Sequence, residues 1–124
     1  ALAAIEAGAD AIVVSNHGGR VMDHMPGTAA VLPEIANAVG GRIKVLADGG
    51  IREGIDILKM LALGADAVMI GRPVCIAAFG AGQEGVSFYL REKLNELKKA
   101  MILTGCGSID HIDPSIIFRK KGDR

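Results

Sequence analysis

A histidine and an arginine stand three residues apart in Ser15-Asn16-His17-Gly18-Gly19-Arg20, directly after the apolar run Ala11-Ile12-Val13-Val14. An imidazole exchanges a proton near neutral pH. A guanidinium grips a carboxylate through two parallel hydrogen bonds. One glycine-softened turn therefore carries a base and an anion clamp, the two functions needed to act on a small acid. A histidine alone is more often a donor to a backbone carbonyl; the arginine beside His17 makes this turn a candidate site. Asp23, His24 and Pro26-Gly27 read as loop-shaping residues to which no chemistry is assigned.

Two further turns repeat the theme. Ala47-Asp48-Gly49-Gly50-Ile51-Arg52 follows a second apolar run and is expected to open a helix. Its glycines would let backbone N–H groups face an anion where the helix dipole favours negative charge. Arg52 would add a phosphate contact, and Asp48 would accept hydrogen bonds from sugar or ribityl hydroxyls. Gly71-Arg72-Pro73 follows a third run, with the proline placed to begin a helix. Taken singly, each is equally an ordinary strand-to-helix turn with a surface arginine. Taken together on adjacent parallel strands, they would surround one anion with two arginines and three glycines, as in the recurrent phosphate site of (β/α)8 barrels.

The elements that must position these turns are legible as patterns. Residues 11–14, 43–47 and 67–70 are short, rich in β-branched side chains and bounded by Gly or Asp, so each reads as a buried strand. Their near-continuous apolar character predicts parallel strands covered on both faces. Helices are expected within residues 28–39, with Pro33 near the first turn, and over 52–63, stopping at Gly64. Ala7-Gly8-Ala9-Asp10-Ala11-Ile12-Val13-Val14 is matched in residue type by Leu63-Gly64-Ala65-Asp66-Ala67-Val68-Met69-Ile70. Duplication and shared helix-cap-strand grammar explain this equally well, and both give βαβαβ order and an α/β fold. Val86, Leu90, Leu94, Leu97 and Met101, at steps of four and three, predict an amphipathic helix over 83–101 that packs on the body of the fold and ends near Gly105. Its other side mixes both signs of charge, which excludes a membrane-surface helix. Residues 106–124 form a polar tail with an apolar insert, Ile116-Ile117-Phe118, and a basic end, Arg119-Lys120-Lys121, expected to be solvated.

Composition narrows the function classes. At 124 residues, half of them apolar, the chain suits one domain with its own core. It holds no uninterrupted apolar stretch of membrane-spanning length. A formal net charge of zero gives no electrostatic case for nucleic acid or an anionic membrane, and 3% aromatics give no base-stacking platform. Cys75 and Cys106 have neither pairing nor metal-ligand spacing, so two reduced thiols, no metal and a cytoplasmic setting are expected. The opening from Ala1 to Gly8 reads like the last turns of a helix, and the chain is expected to be a piece of a longer protein.

With the three turns in view, the chain resembles the FMN-dependent α-hydroxy acid dehydrogenase and oxidase family, which includes glycolate oxidase, lactate oxidase and flavocytochrome-type lactate dehydrogenases. The carriers are Ser15 to Arg20, Asp48-Gly49-Gly50-Ile51-Arg52, Ala62-Leu63-Gly64-Ala65, Gly71-Arg72-Pro73 and Met101-Ile102-Leu103-Thr104-Gly105-Cys106. The resemblance implies part of a TIM (β/α)8 barrel: its last three parallel strands plus a C-terminal amphipathic helix over residues 1–105, with 106–124 as a tail. It implies His17 as the base that removes a proton during oxidation of a small 2-hydroxy acid and Arg20 as the clamp on the substrate carboxylate. Asp48 would approach the ribityl chain. Gly49, Gly50, Arg52, Gly71 and Arg72 would complete the FMN site, the last four at the phosphate. The reduced flavin would be reoxidised by oxygen, a quinone, a cytochrome or another acceptor, and full-length members are often tetrameric.

Departures from the family accompany the match. Members usually continue Arg-Gln-Leu-Asp where this chain has Arg20-Val21-Met22-Asp23, which bears on loop packing and substrate choice. The strands supplying the flavin-ring lysine, the active-site tyrosines and the aspartate partner of the histidine are not among these residues. A barrel of this kind takes about 250 residues. Three strands of eight leave an open edge and an exposed apolar face, so the chain alone is expected to be inactive. Asp48 to Arg52 and Gly64 to Gly71 would also suit an inosine monophosphate dehydrogenase-like or type 2 isopentenyl diphosphate isomerase-like barrel, but the His17–Arg20 turn stands against both. A stand-alone phosphate- or FMN-binding half-barrel is the non-enzymatic alternative.

Overall fold

The β-branched runs become three parallel strands in the computed structural model, which describes residues 1–118. Strand β1 (Ala11–Ser15) pairs with β2 (Lys44–Asp48), and β2 pairs with β3 (Ala67–Met69). Val13 lies opposite Leu46, Ser15 opposite Asp48, and Asp48 opposite Met69. Helix α1 (Leu2–Glu6) precedes β1, and α2 (Thr28–Val39) and α3 (Gly54–Ala62) make the two crossovers. Helix α4 (Arg72–Leu103) follows β3. The parallel order sends the carboxyl ends of all three strands, and hence all three turns, to one end of the sheet.

The core sits on one face of the sheet. Val14, Val45 and Ala47 pack with Leu32, Val39, Ile57, Leu58 and Met60 in one buried cluster. Leu32 and Leu58 are almost wholly buried, each burial being worth about 1.5–3 kcal/mol. The expectation of strands covered on both faces is corrected here: Val13 is 51% exposed and Met69 44%, and Ala11, Ser15 and Lys44 are exposed beside them. Both alternating sets of β1 contain apolar residues, so hydropathy alone could not separate the covered face from the open one. An open apolar sheet face suits part of a barrel, whose inward side chains pack on one another once the sheet closes.

Helix ends are fixed by specific partners. Helix α2 begins where the buried Thr28 hydroxyl donates to the Asp48 carbonyl at 2.7 Å, tying it to the end of β2. Pro33 is therefore the sixth helical residue and not part of the first turn as expected; it removes the N–H that would have bonded to the Ala29 carbonyl. At the other end Gly40 adopts a left-handed cap, and the Arg42 guanidinium donates to the Val39 and Ala38 carbonyls. Helix α3 starts two residues later than its pattern suggested, behind a capping box in which Glu53 and Asp56 satisfy each other's backbone N–H groups.

Helix α4 departs furthest from expectation. It begins at Arg72, is interrupted by non-helical backbone at Ala81-Gly82, and runs on to Leu103. Of the predicted stripe, Leu97 is buried, as is Ala100 beside it, whereas Leu94 is 62% exposed and Leu90 is exposed as well. The cause lies at the crossing with α3, where a Cβ on Gly54 would collide with the Leu97 backbone nitrogen. So close an approach turns Tyr89, Lys93 and Glu96 toward the start of α3. The Glu96 carboxylate accepts the Gly54 N–H at 2.7 Å and pairs with Lys93 at 2.5 Å. Those two donors hold Glu96 below the ordinary carboxylate range, the lysine contributing most.

At the opposite end of the sheet, Asp66 bonds Lys44 Nζ at 2.6 Å and accepts the Val45 N–H at 2.8 Å. The Lys44 hydrogen bond, then the backbone one, lowers the Asp66 pKa, and the same carboxylate raises that of Lys44. Cys75 is exposed and Cys106 buried, both as free thiols. The tail contributes Ile112 and Ile116 to the edge of the core. Arg119-Lys120-Lys121 lie outside the described residues. Among the described residues, no helix is long and apolar enough to cross a membrane.

Candidate functional site

The first turn leaves β1 as a short 3-10 turn, His17–Gly19. His17 sits at φ 52°, a left-handed conformation uncommon for a residue with a side chain. Two side chains that the sequence reading passed over hold it there. The Ser15 hydroxyl accepts the His17 N–H at 3.0 Å. The Asn16 carboxamide accepts the Gly18 N–H at 3.0 Å and donates to the Pro26 carbonyl at 3.4 Å, closing the loop back on itself. Arg20 completes the turn by donating its own N–H to the His17 carbonyl. The side chains of His17 and Arg20 are exposed and have no hydrogen-bond partner among the described residues. Asp23 accepts the His24 N–H, the loop-shaping part expected of it.

The second turn is joined to the first by a short contact: Ser15 Oγ donates to Asp48 Oδ2 at 2.5 Å. Gly49 is at φ 121°, and a Cβ there would lie 2.9 Å from Thr28 Oγ1 and 3.2 Å from Asn16 Oδ1. The space beside Gly50 is open, with nothing within 4 Å of such an atom. The expectation that this turn offers an anion the free N-terminus of a helix is corrected. Asp56 accepts the N–H groups of Arg52 and Glu53, and Glu96 accepts that of Gly54. The start of α3 is thus occupied by the chain's own carboxylates. Arg52 itself is exposed, and its carbonyl accepts the Tyr89 hydroxyl at 3.4 Å.

The third turn reaches over to the first. A Cβ on Gly18 would stand 2.9 Å from Arg72 Nη2, so the guanidinium lies across the His17 turn. Gly71 precedes the first residue of α4, whose start has no side-chain cap. Neither Arg52 nor Arg72 pairs with a carboxylate among the described residues. Two unpaired guanidiniums, an uncapped helix start and open space beside Gly50 and Gly71 suit a phosphate dianion. Among the described residues, Asp48 Oδ1 has no hydrogen-bond partner and can accept from a hydroxyl. A cavity of about 330 Å³ adjoins this end, lined among others by Thr28, Gly49, Gly50, Lys59 and Ile117. No group of three or more metal-binding side chains occurs among the described residues.

Ser15 and Asn16 carried a legible signal, because small polar residues at a strand exit commonly bond the backbone of the turn that follows. Thr28 carried none; its role follows from the packing of α2 on β2.

The family model for FMN-dependent dehydrogenase matches residues 1–119. A peroxisomal (S)-2-hydroxyacid oxidase of Arabidopsis thaliana is 51% identical over 112 residues, covering 90% of this chain and 31% of that protein. An L-lactate dehydrogenase from a Caulobacter species is 51% identical over 119 residues, covering 96% of this chain and 31% of its own length. Among solved structures, a mandelate oxidase variant with a monooxide FMN adduct superposes with a TM-score of 0.87 at 49% identity, covering 91% of this chain and 36% of that one. The chain therefore spans about a third of the length of the relatives it matches.

Proposed function

The chain belongs to the FMN-dependent dehydrogenase family, and from that premise we propose that it supplies the base, the carboxylate clamp and the phosphate grip of an enzyme oxidising a small 2-hydroxy acid to the 2-oxo acid. The observation that carries the reading is the convergence of the three turns, with Ser15 bonded to Asp48 and Arg72 lying over Gly18. We assign the three strands to the last three of the barrel, since a phosphate grip on the final two strands is the common arrangement in such barrels.

His17 takes one proton from the substrate, and Arg20 fixes its carboxylate by paired hydrogen bonds. Asp48 Oδ1 accepts from the ribityl chain beside Gly49. Arg52, Arg72 and the backbone at Gly50 and Gly71 hold the phosphate. FMN, when bound, would take up the two electrons and the second proton of the oxidation as a hydride equivalent and would be reoxidised by an acceptor such as oxygen, a quinone or a cytochrome. The remaining assignments are a cytoplasmic protein, in keeping with its free thiols, and a homo-oligomer, a tetramer by family habit. The 124 residues by themselves are inactive in this reading, because the flavin-ring and histidine-partner residues implied by the family are not among them.

The test is His17→Gln in the protein expressed from its complete reading frame. Flavin reduction by L-lactate or mandelate should be lost while FMN remains bound, because the proton acceptor goes and the phosphate grip stays. Stopped-flow bleaching of the flavin at an undiminished rate would falsify the assignment. An inosine monophosphate dehydrogenase-like or isopentenyl diphosphate isomerase-like barrel would need no His17–Arg20 turn, so indifference to His17→Gln would favour that reading.

A further inference from the structure

We infer that Ser15 is a positioning residue that couples the placement of His17 to Asp48, an inference that rests on the proposed function for its consequence but on this structure for its geometry. A serine hydroxyl has one proton to donate and two lone pairs to accept with. An ionised Asp48 can only accept, so the short contact to Oδ2 commits the Ser15 proton to Asp48. The oxygen then faces the His17 N–H, 3.0 Å away, with a lone pair. The result is a directed chain, from the His17 amide to the Ser15 hydroxyl to the Asp48 carboxylate. Negative charge on Asp48 polarises the hydroxyl and strengthens its hold on the amide.

That hold is needed where it falls. His17 is one of two non-glycine residues with positive φ among the described residues, and such a backbone persists only when its surroundings over-determine it. The Asn16 carboxamide restrains the residue after His17, and Arg72 lies over Gly18. On His17 itself, Ser15 holds the amide, while the Arg20 N–H reaches the carbonyl. Ser15 and Asp48 are directly opposed across the β1–β2 ladder, so the link is built on two strands and not on the loop. A group that engages the free oxygen of Asp48 would therefore act on the same carboxylate that orients the base turn.

The experiment compares Ser15→Ala and Ser15→Thr in the protein expressed from its complete reading frame, with His17→Gln as reference. In flavin-free protein, the Ser15→Ala change should speed hydrogen exchange of the His17 amide about fivefold to tenfold, the value of one hydrogen bond. In the FMN-loaded protein, kcat with L-lactate should fall about tenfold or more, because small displacements of a reacting group are costly. KM should change less than about twofold, since Arg20 is untouched. Ser15→Thr keeps the hydroxyl and should restore both exchange protection and kcat. Unchanged exchange in Ser15→Ala, or equal losses in the alanine and threonine variants, would overturn the positioning role. Retained activity in His17→Gln would overturn the proposed function instead, leaving the exchange measurement to decide on Ser15.

Discussion

Adjacent glycines in the second turn offer a controlled test of how tightly the three turns are packed. Gly49 and Gly50 both have positive φ, 121° and 74°, but only Gly49 is crowded. An alanine at 49 would place Cβ 2.9 Å from Thr28 Oγ1 and 3.2 Å from Asn16 Oδ1. Thr28 cannot swing aside freely, because it is only 4% exposed and its hydroxyl is committed to the Asp48 carbonyl. Backbone strain at such a φ costs about 1–3 kcal/mol, and forcing packed neighbours apart costs about 1–3 kcal/mol more. Gly50→Ala meets open space and incurs only the left-handed penalty of about 1–2 kcal/mol. Gly49→Ala should therefore be less stable than Gly50→Ala by about 1–4 kcal/mol, a Tm gap of roughly 2–15 °C for a protein of ordinary domain size. Scanning calorimetry of both variants measures it. Adding Thr28→Ala to Gly49→Ala should recover about 1 kcal/mol relative to additivity, since the first clash is with that hydroxyl. Equal stability of the two glycine variants, or strict additivity with Thr28→Ala, would refute the packing described at this turn.

Two further outcomes test other parts of the molecule. Arg72→Ala should raise the FMN dissociation constant about tenfold to a hundredfold, the worth of a charge-assisted hydrogen bond, and Arg72→Lys should recover only part of it; an unchanged constant in fluorescence titration would remove Arg72 from the phosphate grip. Asp66→Asn should lower stability modestly across a plateau of pH. The Asp66 pKa is held below 3.8 by Lys44 and the Val45 N–H, so its contribution is present above that value and is lost as pH falls through the folded one. The Lys44 pKa is raised above 10.5, so its share is present below that value and is lost as pH rises through the folded one. The stability gap between wild type and variant should then be flat near neutrality and close in strong acid. A gap that widens on acidification would contradict the ion pair.

Three strands, two crossover helices and three strand-exit turns were legible because each rests on local signals. The apolar runs, the glycines at strand exits and the prolines and glycines at helix ends act within a few residues of where they stand. What was not legible depends on long-range geometry. Hydropathy could not tell the covered face of β1 from the open one, since Ile12 and Val14 alternate with Ala11 and Val13. It also could not rotate α4 correctly, because the close crossing at Gly54 selects Tyr89, Lys93 and Glu96 for the junction in preference to Leu90 and Leu94. The spacing of His17 and Arg20 marked the first turn as a candidate site. The hydrogen bonds that shape it, from Ser15 across to Asp48, join residues 33 apart and needed the parallel register of β1 on β2 to be seen.

The same long-range packing reassigns how an anion is handled at this end of the sheet. A strand, two glycines and a helix suggest that the helix dipole at the second turn receives the phosphate, yet Asp56 and Glu96 occupy the N–H groups at the start of α3. Negative charge already sits at that terminus, and a second anion brought against it would be repelled. The start of α4 has no side-chain cap, so the favourable dipole lies with the third turn, beside Arg72. The second turn keeps the open backbone at Gly50 and adds Arg52, which projects from a stretch anchored through its carbonyl to Tyr89 of α4. In the proposed function, the grip on a phosphate therefore divides into the α4 dipole and the Arg72 guanidinium from the third turn and the Gly50 backbone and Arg52 guanidinium from the second, with α4 supporting both. On that division, loss of Arg52 removes the second turn's only cation, whereas loss of Arg72 leaves the α4 terminus still in place.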